Sequence, residues 1–596
     1  MARRHIAVII FIFLALLIYS NTFTASFHFD DKLSILSNPH IKHISHIGIL
    51  WEGGRARFLT YLTIAMNYSI GKLDVTGYHI VNILIHIITG ILVYSLALLT
   101  FQTPRIKGLV IARDGKSIAF FAGLIFIAHP IQTQAVTYII QRATSLAALF
   151  YIAAIALYVQ SRLHRSVFYY ILFLIAALCA LLCKEISITL PFLILLYEGT
   201  FFTAEGRKTY CMSLIAIFLI AFIFMPYHIY VSYLIDFINM KNAKEPYSGA
   251  SSYCYLLTQF RVILTYIRLL FIPINQAVDY DYRISRTIFE LPTIFSILAL
   301  LGIGITTLRM YRRERLIAFA ILWFFFTLAP ALRYVPAMDN FIYEHRVYLP
   351  MFGFSLFLST IIFSRLGREK AAIILITLVA ILSVLTYMRN FVWKDDFTLW
   401  DDAVRKMPKN SRAHCNRGFE FFNMGNYEAA LADYNAALKN DPRYVVAYCN
   451  RGALYAMKGD MRGALREFDK ALIISPHYAD AHYNRAKAYA RMNDIQRAIA
   501  EYEETIVLNY FFIDAYINLG NIYVRRGELH KAMSMYSRAI TVDRGYPNIY
   551  VNRALVYFMR RDFDKAWKDV QKARQLGGSV DASFLKDLRR ASGRQN

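Results

Sequence analysis

The stretch PKNSRAHCNRGFEFFNMGNYEAALADYNAALKND, residues 408–441, decides the fold of the C-terminal part of the chain. The next stretch, PRYVVAYCNRGALYAMKGDMRGALREFDKALIIS at 442–475, repeats its pattern 34 positions later. Three columns keep this spacing: the asparagines Asn416, Asn450, Asn484, Asn518 and Asn552; the small residues Gly418, Gly452, Ala486, Gly520 and Ala554; and the alanines Ala430, Ala464, Ala498, Ala532 and Ala566. The chain therefore carries an internal repeat.

A 34-residue period, with small residues where two helices touch, is the signature of the tetratricopeptide repeat (TPR). Each unit is a helix pair that cannot bury its own apolar face, so about five units over 405–577 stack into an α-solenoid with a concave groove. A carboxamide both donates and accepts hydrogen bonds, so the asparagine column is a candidate site for an extended acceptor peptide. The alternative is that asparagine is common at this position and binds nothing.

The N-terminal two thirds of the chain are far more apolar than the repeats. Hydrophobic residues make up 57% of the whole chain, against about 45–50% in soluble domains. A bilayer core requires roughly 20 apolar residues per helix. The sequence therefore predicts an all-α, multi-pass membrane domain of about eleven spans, at 5–22, 77–100, 117–138, 143–160, 167–183, 186–203, 210–233, 292–308, 316–332, 346–363 and 371–388.

The charge distribution predicts an orientation. The chain has Lys+Arg 66 against Asp+Glu 41, a net charge of +25. In so apolar a chain, this excess indicates membrane lipid rather than nucleic acid as the partner, and the basic residues fall in alternate loops, beginning with Arg3 and Arg4. We expect a cytoplasmic N-terminus and a repeat domain in the periplasm or an organelle lumen. The stretch 255–275, with Arg261 and Arg268 on one face, is predicted to lie in the interface.

The predicted organisation is a transmembrane domain at 1–390, a junction at 391–404, the repeats at 405–577 and a basic tail at 578–596. On the predicted outer side, polar residues from six elements gather at one leaflet, where ionisable groups are costly and rarely without function. Carboxylates and cations at a membrane surface suit a lipid-phosphate donor: cations bind the phosphate, and a carboxylate deprotonates an incoming hydroxyl. His79, Asn82 and His86 form a polar stripe on one helix that is better explained by helix packing.

Several motifs resemble one known family. They are FHFDDKLSILSNPH (27–40), HPIQTQAVTYIIQRA (129–143), CKEISITLPFLILLYE (183–198), YEHRVYLP (343–350) and the junction RNFVWKDDFTLWDDAVRKMPKNSRAH (389–414). Together they resemble the transmembrane and tetratricopeptide-repeat O-mannosyltransferases and their prokaryotic relatives, in the GT-C superfamily of glycosyltransferases. The resemblance covers nearly the whole chain, with both parts in the same order.

The resemblance implies an inverting transfer of a sugar from a polyprenyl-phosphate donor to a protein Ser/Thr hydroxyl. It implies catalytic roles for Asp30 and Asp31, and no cofactor. A metal is not required, although a divalent ion is not excluded. It also implies a donor-phosphate site that consists of Arg142, Lys184 and Arg346, supported by His129 and Glu344. The family pattern His-Pro-x-His-Thr-Glu is replaced here by HPIQTQ, so the identity of the sugar is not carried over.

Two other functions stay open at this point. The first is a GT-C enzyme acting on lipid-linked glycans, for which the repeats would not be needed to use the acceptor. The second is a non-catalytic, membrane-anchored repeat scaffold for envelope or secretion assembly, in which the polar cluster would have no chemical role. No phosphate-binding GxxxxGK[ST] loop, GxSxG elbow or HExxH motif is present, which argues against an ATP-driven enzyme, a serine hydrolase and a zinc protease.

Overall fold

A computed structural model describes residues 2–42, 57–203, 252–331 and 341–594, together with the single positions 48, 51 and 215. These residues form helices, turns and loops, and no strand occurs among them. The chain divides into two compact units, Met1–Met407 and Pro408–Asn596. The predicted all-α class, with repeats after an apolar helical part, is confirmed at this level. The predicted span at 210–233 lies outside the described residues, apart from position 215.

The first unit contains long apolar helices joined by short helical turns. Its α-helices are Ala2–Ile18, Phe58–Gly71, Val75–Thr100, Gly115–Ala128, Thr133–Thr137, Arg142–His164, Val167–Leu181, Leu190–Phe201, Ser252–Phe271, Leu291–Met310, Arg315–Leu328, Met351–Leu366, Arg368–Val392 and Asp396–Lys406. The turns are Lys32–Leu36, Pro39–Lys42, Val110–Asp114, Pro130–Gln132, Ile139–Gln141, Glu185–Thr189, Ala329–Ala331 and Glu344–Val347.

Small residues allow these helices to approach one another closely. At Gly353 a Cβ atom would lie 2.4 Å from the main-chain oxygen of Ala320, which leaves room for no side chain. The buried ring of Trp323 packs on Phe352 beside this crossing, with ring centroids 4.5 Å apart. Close backbone contact at small residues is a common way for helices to associate in lipid. The crossing of Arg315–Leu328 with Met351–Leu366 is therefore fixed by Gly353.

Five described helices are long and apolar enough to cross a membrane: Val75–Thr100, Ile139–His164, Tyr253–Phe271, Leu291–Met310 and Arg368–Val392. Most of the other predicted spans correspond to shorter apolar helices, so the count of about eleven is not confirmed. Tyr253–Phe271 qualifies as a candidate span by length and composition, whereas the sequence suggested an interfacial helix. Its two arginines donate to nearby main-chain oxygens: Arg261 to Arg283 (2.8 Å) and Arg268 to Ile274 (3.3 Å).

The third predicted span, 117–138, ends earlier in the structure. Its helix stops at Ala128, and the chain continues through short turns up to Arg142. His129 has an extended backbone (φ −77°, ψ 127°), because the proline that follows it disfavours a helical conformation there. This break replaces the last ten residues of the predicted span, 129–138, with a compact, buried segment.

The second unit is a stack of helix pairs in the predicted 34-residue register. Its pairs are Ser411–Asn423 with Tyr427–Asn440, Val445–Met457 with Met461–Ile474, Ala479–Arg491 with Ile495–Leu508, Ile513–Arg525 with Leu529–Val542, and Pro547–Met559 with Phe563–Gln575. A Cβ at Gly452 would lie 2.6 Å from the ring of Phe468, and one at Gly520 would lie 2.6 Å from the ring of Tyr536. The small-residue column therefore exists because an aromatic ring of the paired helix occupies that space.

The segment 578–596, predicted as a basic tail, contains one more helix, Ala582–Ser592. Asp581 caps it by accepting hydrogen bonds from the main-chain nitrogens of Ser583 and Phe584. Leu585 and Leu588 are buried in the same apolar cluster as Trp567 of the last pair. The helix therefore covers the apolar end of the stack, as terminal capping elements of repeat proteins do.

Ion pairs join the two helices of most repeats at a constant spacing. An arginine of the first helix bonds an acid sixteen residues later, in the pairs Arg417–Asp433, Arg451–Glu467, Arg485–Glu501 and Arg553–Asp569. In the fourth repeat the same two positions hold Leu519 and Met535, which belong to one apolar cluster. Both partners thus differ together, because a single buried charge without its partner is costly.

The Leu519→Arg substitution alone is expected to destabilise the repeat unit by about 3 kcal/mol, because it buries an unpaired charge. Adding Met535→Glu restores the pair found in the other repeats and should recover at least half of that loss. Thermal unfolding of the full chain, together with hydrogen exchange of the amides in the repeats, measures both effects. If the double variant is destabilised by as much as Leu519→Arg and Met535→Glu added together, this explanation of the fourth repeat is wrong.

Candidate active site

The two adjacent acids of the first loop have different surroundings. Asp31 is completely buried, and both of its oxygens accept main-chain hydrogen bonds: Oδ2 from His28 (3.0 Å) and Oδ1 from Ile140 (2.8 Å). Asp30 is exposed. Burial raises the pKa of Asp31 to about 7, although these two hydrogen bonds act in the opposite direction. Asp31 therefore joins two chain segments, whereas Asp30 is the solvent-accessible acid of the pair.

The backbone around Asp30 is strained and held by aromatic rings. We call residues 26–32 the acid loop. Within it, Phe29 has φ +41°, in the left-handed region that non-glycine residues rarely adopt. The ring of Phe29 makes edge contacts with Tyr138 and Trp400, with centroids 5.8 and 5.1 Å apart. The main-chain nitrogen of Asp30 donates to the Tyr138 hydroxyl (2.9 Å). Tyr138 and Trp400 stand in two of the motifs quoted above, where no role was predicted for them.

Arg142, predicted to contact phosphate, is fully buried. Its guanidinium donates to Asn82 Oδ1 (2.7 Å), to Asn67 Oδ1 (2.6 Å) and to the main-chain oxygen of Tyr78 (3.0 Å). All these acceptors are neutral, and among the described residues no carboxylate bonds the guanidinium of Arg142. The structure thus gives Arg142 a role in joining three helices.

The polar stripe on Val75–Thr100 lies inside the helix bundle. His79 Nε2 bonds the main-chain oxygen of Ala25 (3.0 Å), and His86 Nδ1 bonds the Tyr348 hydroxyl (2.8 Å). Asn82 donates to Val136 and accepts from the arginine just described. These contacts agree with the packing explanation given from the sequence.

His129 and Glu344, predicted to support a phosphate site, are also buried. His129 Nε2 donates to the main-chain oxygen of Leu270 (2.9 Å). Glu344 accepts from Tyr280 (2.6 Å) and from the side-chain amide of Gln276 (3.1 Å), and burial raises its pKa. Both residues therefore bind neighbouring loops, and neither presents a free charge to a ligand.

Lys184 and Arg346 are half-buried cations that share a neighbour, His345. The pKa of His345 is well below its usual value, because of burial and then because of the charges of Lys184, Arg346 and Arg57. The charges of three cations, from three separate loops, therefore act on one imidazole. Arg57 was assigned no role from the sequence, although it opens the stretch RFLTYLTIAMNY (57–68), which shares the same family resemblance.

The ring of His345 has a defined orientation. Its main-chain nitrogen (2.8 Å) and its Nδ1 atom (3.1 Å) both approach Oε1 of Gln134. Because that oxygen only accepts, Nδ1 carries the proton and Nε2 keeps its lone pair. Gln134, the last residue of HPIQTQ, thus holds the imidazole in place. A glutamate at this position could accept the same two hydrogen bonds.

An apolar groove lies between the helices Ser252–Phe271, Leu291–Met310, Arg315–Leu328 and Met351–Leu366. Its volume is about 570 Å³, and its lining is almost entirely hydrocarbon. The lining includes Leu270, Phe271, Ile303, Phe324, Phe357 and Ile361. Its wall also provides Leu270, whose main-chain oxygen accepts from His129, so the groove adjoins the buried polar segment.

The asparagine column of the repeats is half-buried throughout: Asn416, Asn450, Asn484, Asn518 and Asn552. Two of these residues bond to the neighbouring repeat. Asn450 Nδ2 donates to the Cys415 sulfur (3.3 Å), and Asn518 Nδ2 donates to the Tyr483 hydroxyl (3.1 Å). These bonds support the structural explanation at two positions, and the carboxamide oxygens can still accept.

Comparison with known proteins confirms the repeats and the resemblance drawn from the sequence. The family described as "TPR repeat" matches residues 418–459 and 520–559, and the one described as "Tetratricopeptide repeat" matches 455–506. Protein O-mannosyl-transferase F38B6.6 of Caenorhabditis elegans is 27% identical over 455 residues, which cover 73% of this chain and 62% of that protein. The chain is therefore a relative of proteins that carry this name.

Other relatives carry related names. Protein O-mannosyl-transferase TMTC3 of Homo sapiens is 24% identical over 473 residues, 69% of this chain and 49% of that protein. Protein O-mannosyl-transferase Tmtc1 of Drosophila melanogaster is 31% identical over 189 residues, 30% of this chain and 21% of that protein. The chain spans less than two thirds of the length of each of these relatives.

Solved structures are similar to about a third or less of the chain. The crystal structure of MamA is 28% identical and covers 27% of this chain and 94% of that one, with a TM-score of 0.25. YrrB, described as a TPR protein with an unusual peptide-binding site, is 21% identical and covers 33% of this chain and 97% of that one, with a TM-score of 0.26.

Proposed function

We propose that the chain is a membrane glycosyltransferase of the inverting GT-C type. It transfers a sugar from a polyprenyl-phosphate donor to Ser/Thr hydroxyls of proteins on the periplasmic or lumenal face. The observation that carries this proposal is the exposed carboxylate of Asp30, on a loop whose neighbouring residues are all held by other segments. The relatives named protein O-mannosyl-transferases support the same reaction class.

In the proposed reaction, the acceptor oxygen attacks the anomeric carbon from the side opposite the phosphate. The bond between the anomeric carbon and the phosphate oxygen breaks, and the hydroxyl proton passes to Asp30. Lys184, Arg346 and Arg57 stabilise the charge that develops on the departing polyprenyl phosphate. Asp31 holds the acid loop against the 139–141 turn, and Arg142 holds the helices behind it.

Two further features support the choice of substrates. The apolar groove suits an isoprenoid chain, because hydrocarbon lines it and charged groups lie at separate positions outside it. The half-buried asparagine column suits an extended acceptor peptide, because each carboxamide oxygen can accept from a peptide nitrogen. On this proposal the repeats select the protein acceptor. The alternative reaction on lipid-linked glycans does not require the repeats.

Membranes that contain the full chain should transfer hexose from at least one of a panel of polyprenyl-phosphate hexoses to endogenous membrane or secreted proteins. Mass spectrometry of those proteins, with and without the chain, measures the gain of hexose on Ser/Thr. The matched control is the Asp30→Asn chain, made in equal amount. Identical hexose patterns in all three samples would contradict a transferase and favour the scaffold. Hexose gained only on lipid-linked glycans would favour the other GT-C reaction.

A further inference from the structure

Asp396 contacts the acid loop from the junction that precedes the repeats. It is the first residue of the helix Asp396–Lys406, and its side chain is only 15% exposed. Oδ1 of Asp396 lies 2.6 Å from His28 Nδ1, and Oδ2 lies 2.5 Å from Lys32 Nζ. His28 and Lys32 stand on either side of Asp30 in the chain. One carboxylate therefore bridges the two ends of the segment that carries the proposed base.

His28 links Asp396 to the main chain of the junction. The ring is completely buried, and its Nε2 atom lies 2.8 Å from the main-chain oxygen of Trp393. Its two nitrogens therefore face two oxygen acceptors, one of a carboxylate and one of a carbonyl. Burial alone would raise the pKa of Asp396, but the hydrogen bonds from His28 and Lys32 lower it below the usual value. The carboxylate therefore stays charged, held by the His28 ring and the Lys32 ammonium.

The rest of the junction adds contacts to the same loop. The main-chain nitrogen of Ser26 donates to the oxygen of Lys394 (3.0 Å), and Trp400 packs against Phe29. Phe29 is the residue with positive φ, and a strained backbone persists only where surrounding contacts hold it. Residues 393–400 thus hold four positions of the acid loop, at Ser26, His28, Phe29 and Lys32.

We propose that Asp396 is a positioning residue for sugar transfer: through His28 and Lys32 it fixes the acid loop so that the carboxylate of Asp30 meets the acceptor hydroxyl. The proposal rests on the proposed function. It predicts that Asp396 affects the rate of the chemical step far more than the binding of either substrate. A general base must lie within hydrogen-bond distance of the proton it removes, so a small loop displacement slows transfer without removing any substrate contact.

The test compares Asp396→Asn with Asp395→Asn in the full chain in lipid nanodiscs. The two substitutions are adjacent and remove the same charge. Asp395 caps the helix by accepting from the Thr398 nitrogen (2.8 Å), a role that asparagine also fills. We expect Asp396→Asn to lower kcat by about 10- to 100-fold, with the donor and acceptor KM within about twofold of the unaltered chain. Asp395→Asn should leave both constants within about twofold.

Two further variants keep the test decisive. Lys32→Met removes only the half-exposed partner of Asp396 and should lower kcat by a smaller factor in a folded chain. Asp396→Glu retains the charge and should recover part of the rate lost in Asp396→Asn. Hydrogen exchange of the 26–32 amides provides a readout that does not depend on turnover: it should rise in Asp396→Asn and not in Asp395→Asn.

The outcomes are distinguishable. Unchanged kcat in Asp396→Asn would overturn the positioning role, whether or not exchange in the loop rises, and so would a loss confined to KM. If the unaltered chain transfers no sugar from any donor of the panel, the proposed function itself fails, and the positioning role fails with it. The exchange measurement then separately reports whether Asp396 holds the loop.

Discussion

Replacing Asp30 by asparagine is expected to slow sugar transfer by about 100- to 10,000-fold, the usual contribution of a general base. A carboxamide cannot take the proton of the acceptor hydroxyl. The fold should be unaffected, because the side chain is exposed, the hydrogen bond from the main-chain nitrogen of residue 30 to Tyr138 remains, and the carboxamide oxygen of asparagine can still accept from the Tyr138 hydroxyl. Initial rates of hexose transfer, measured with purified chain at saturating donor, test the expectation.

Two controls make that result specific to Asp30. Asp74 is another exposed acid of the first unit, and it caps a helix by accepting from the Thr76 nitrogen (3.0 Å), so Asp74→Asn should preserve both rate and stability. Asp31→Asn should instead lower the melting temperature, because one of its two buried acceptor oxygens becomes a donor that faces a main-chain nitrogen. If the Asp30→Asn chain transfers hexose at a rate within about threefold of that of the unaltered chain, Asp30 is not the general base.

Arg142→Met is expected to destabilise the first unit by about 3–5 kcal/mol, comparable to breaking a buried ion pair. The substitution removes the donor to the buried oxygens of Asn82 and Tyr78 and to the half-buried oxygen of Asn67, and a buried oxygen left without a donor costs about 1–3 kcal/mol. Arg142→Lys keeps the charge but cannot reach all three oxygens, so most of the loss should remain. Melting of the full chain in detergent, with the yield of folded protein, measures the effect.

Arg346→Met provides the comparison, because Arg346 is half-buried and lies 4.8 Å over the ring of Tyr343. Its loss should raise the donor KM and leave melting close to that of the unaltered chain. If Arg142→Met instead melts normally and only raises the donor KM, Arg142 contacts phosphate directly, as the motif resemblance implied.

The repeats were predictable because their determinants are local and periodic. Gly452 and Phe468 lie in one helix pair, and the pattern returns every 34 residues. The apolar helices were predictable for a similar reason, since composition alone indicates them. The end of the third helix was missed because His129-Pro130 breaks it inside an apolar run, where hydropathy gives no signal.

The roles within the candidate site depend on contacts between distant segments. Asp30 and Asp31 are identical in residue type, but Asp31 is buried and accepts from the nitrogens of His28 and of Ile140, which lies more than 100 positions away, whereas Asp30 is exposed. Arg142 belongs to a motif, yet its asparagine partners lie on other helices. The sequence therefore indicated which loops meet, whereas the division between buried and accessible side chains required the folded chain.

The three cations around His345 have a consequence for the end of each proposed catalytic cycle. A polyprenyl-phosphate sugar is a phosphodiester with one negative charge, whereas the released polyprenyl phosphate is a monoester with about −1.5 to −2 charges at pH 7. Lys184, Arg346 and Arg57 therefore attract the spent carrier more strongly than the loaded one. On the proposed function, the spent carrier in the surrounding bilayer therefore competes with the loaded donor for these cations, so added polyprenyl phosphate should inhibit transfer.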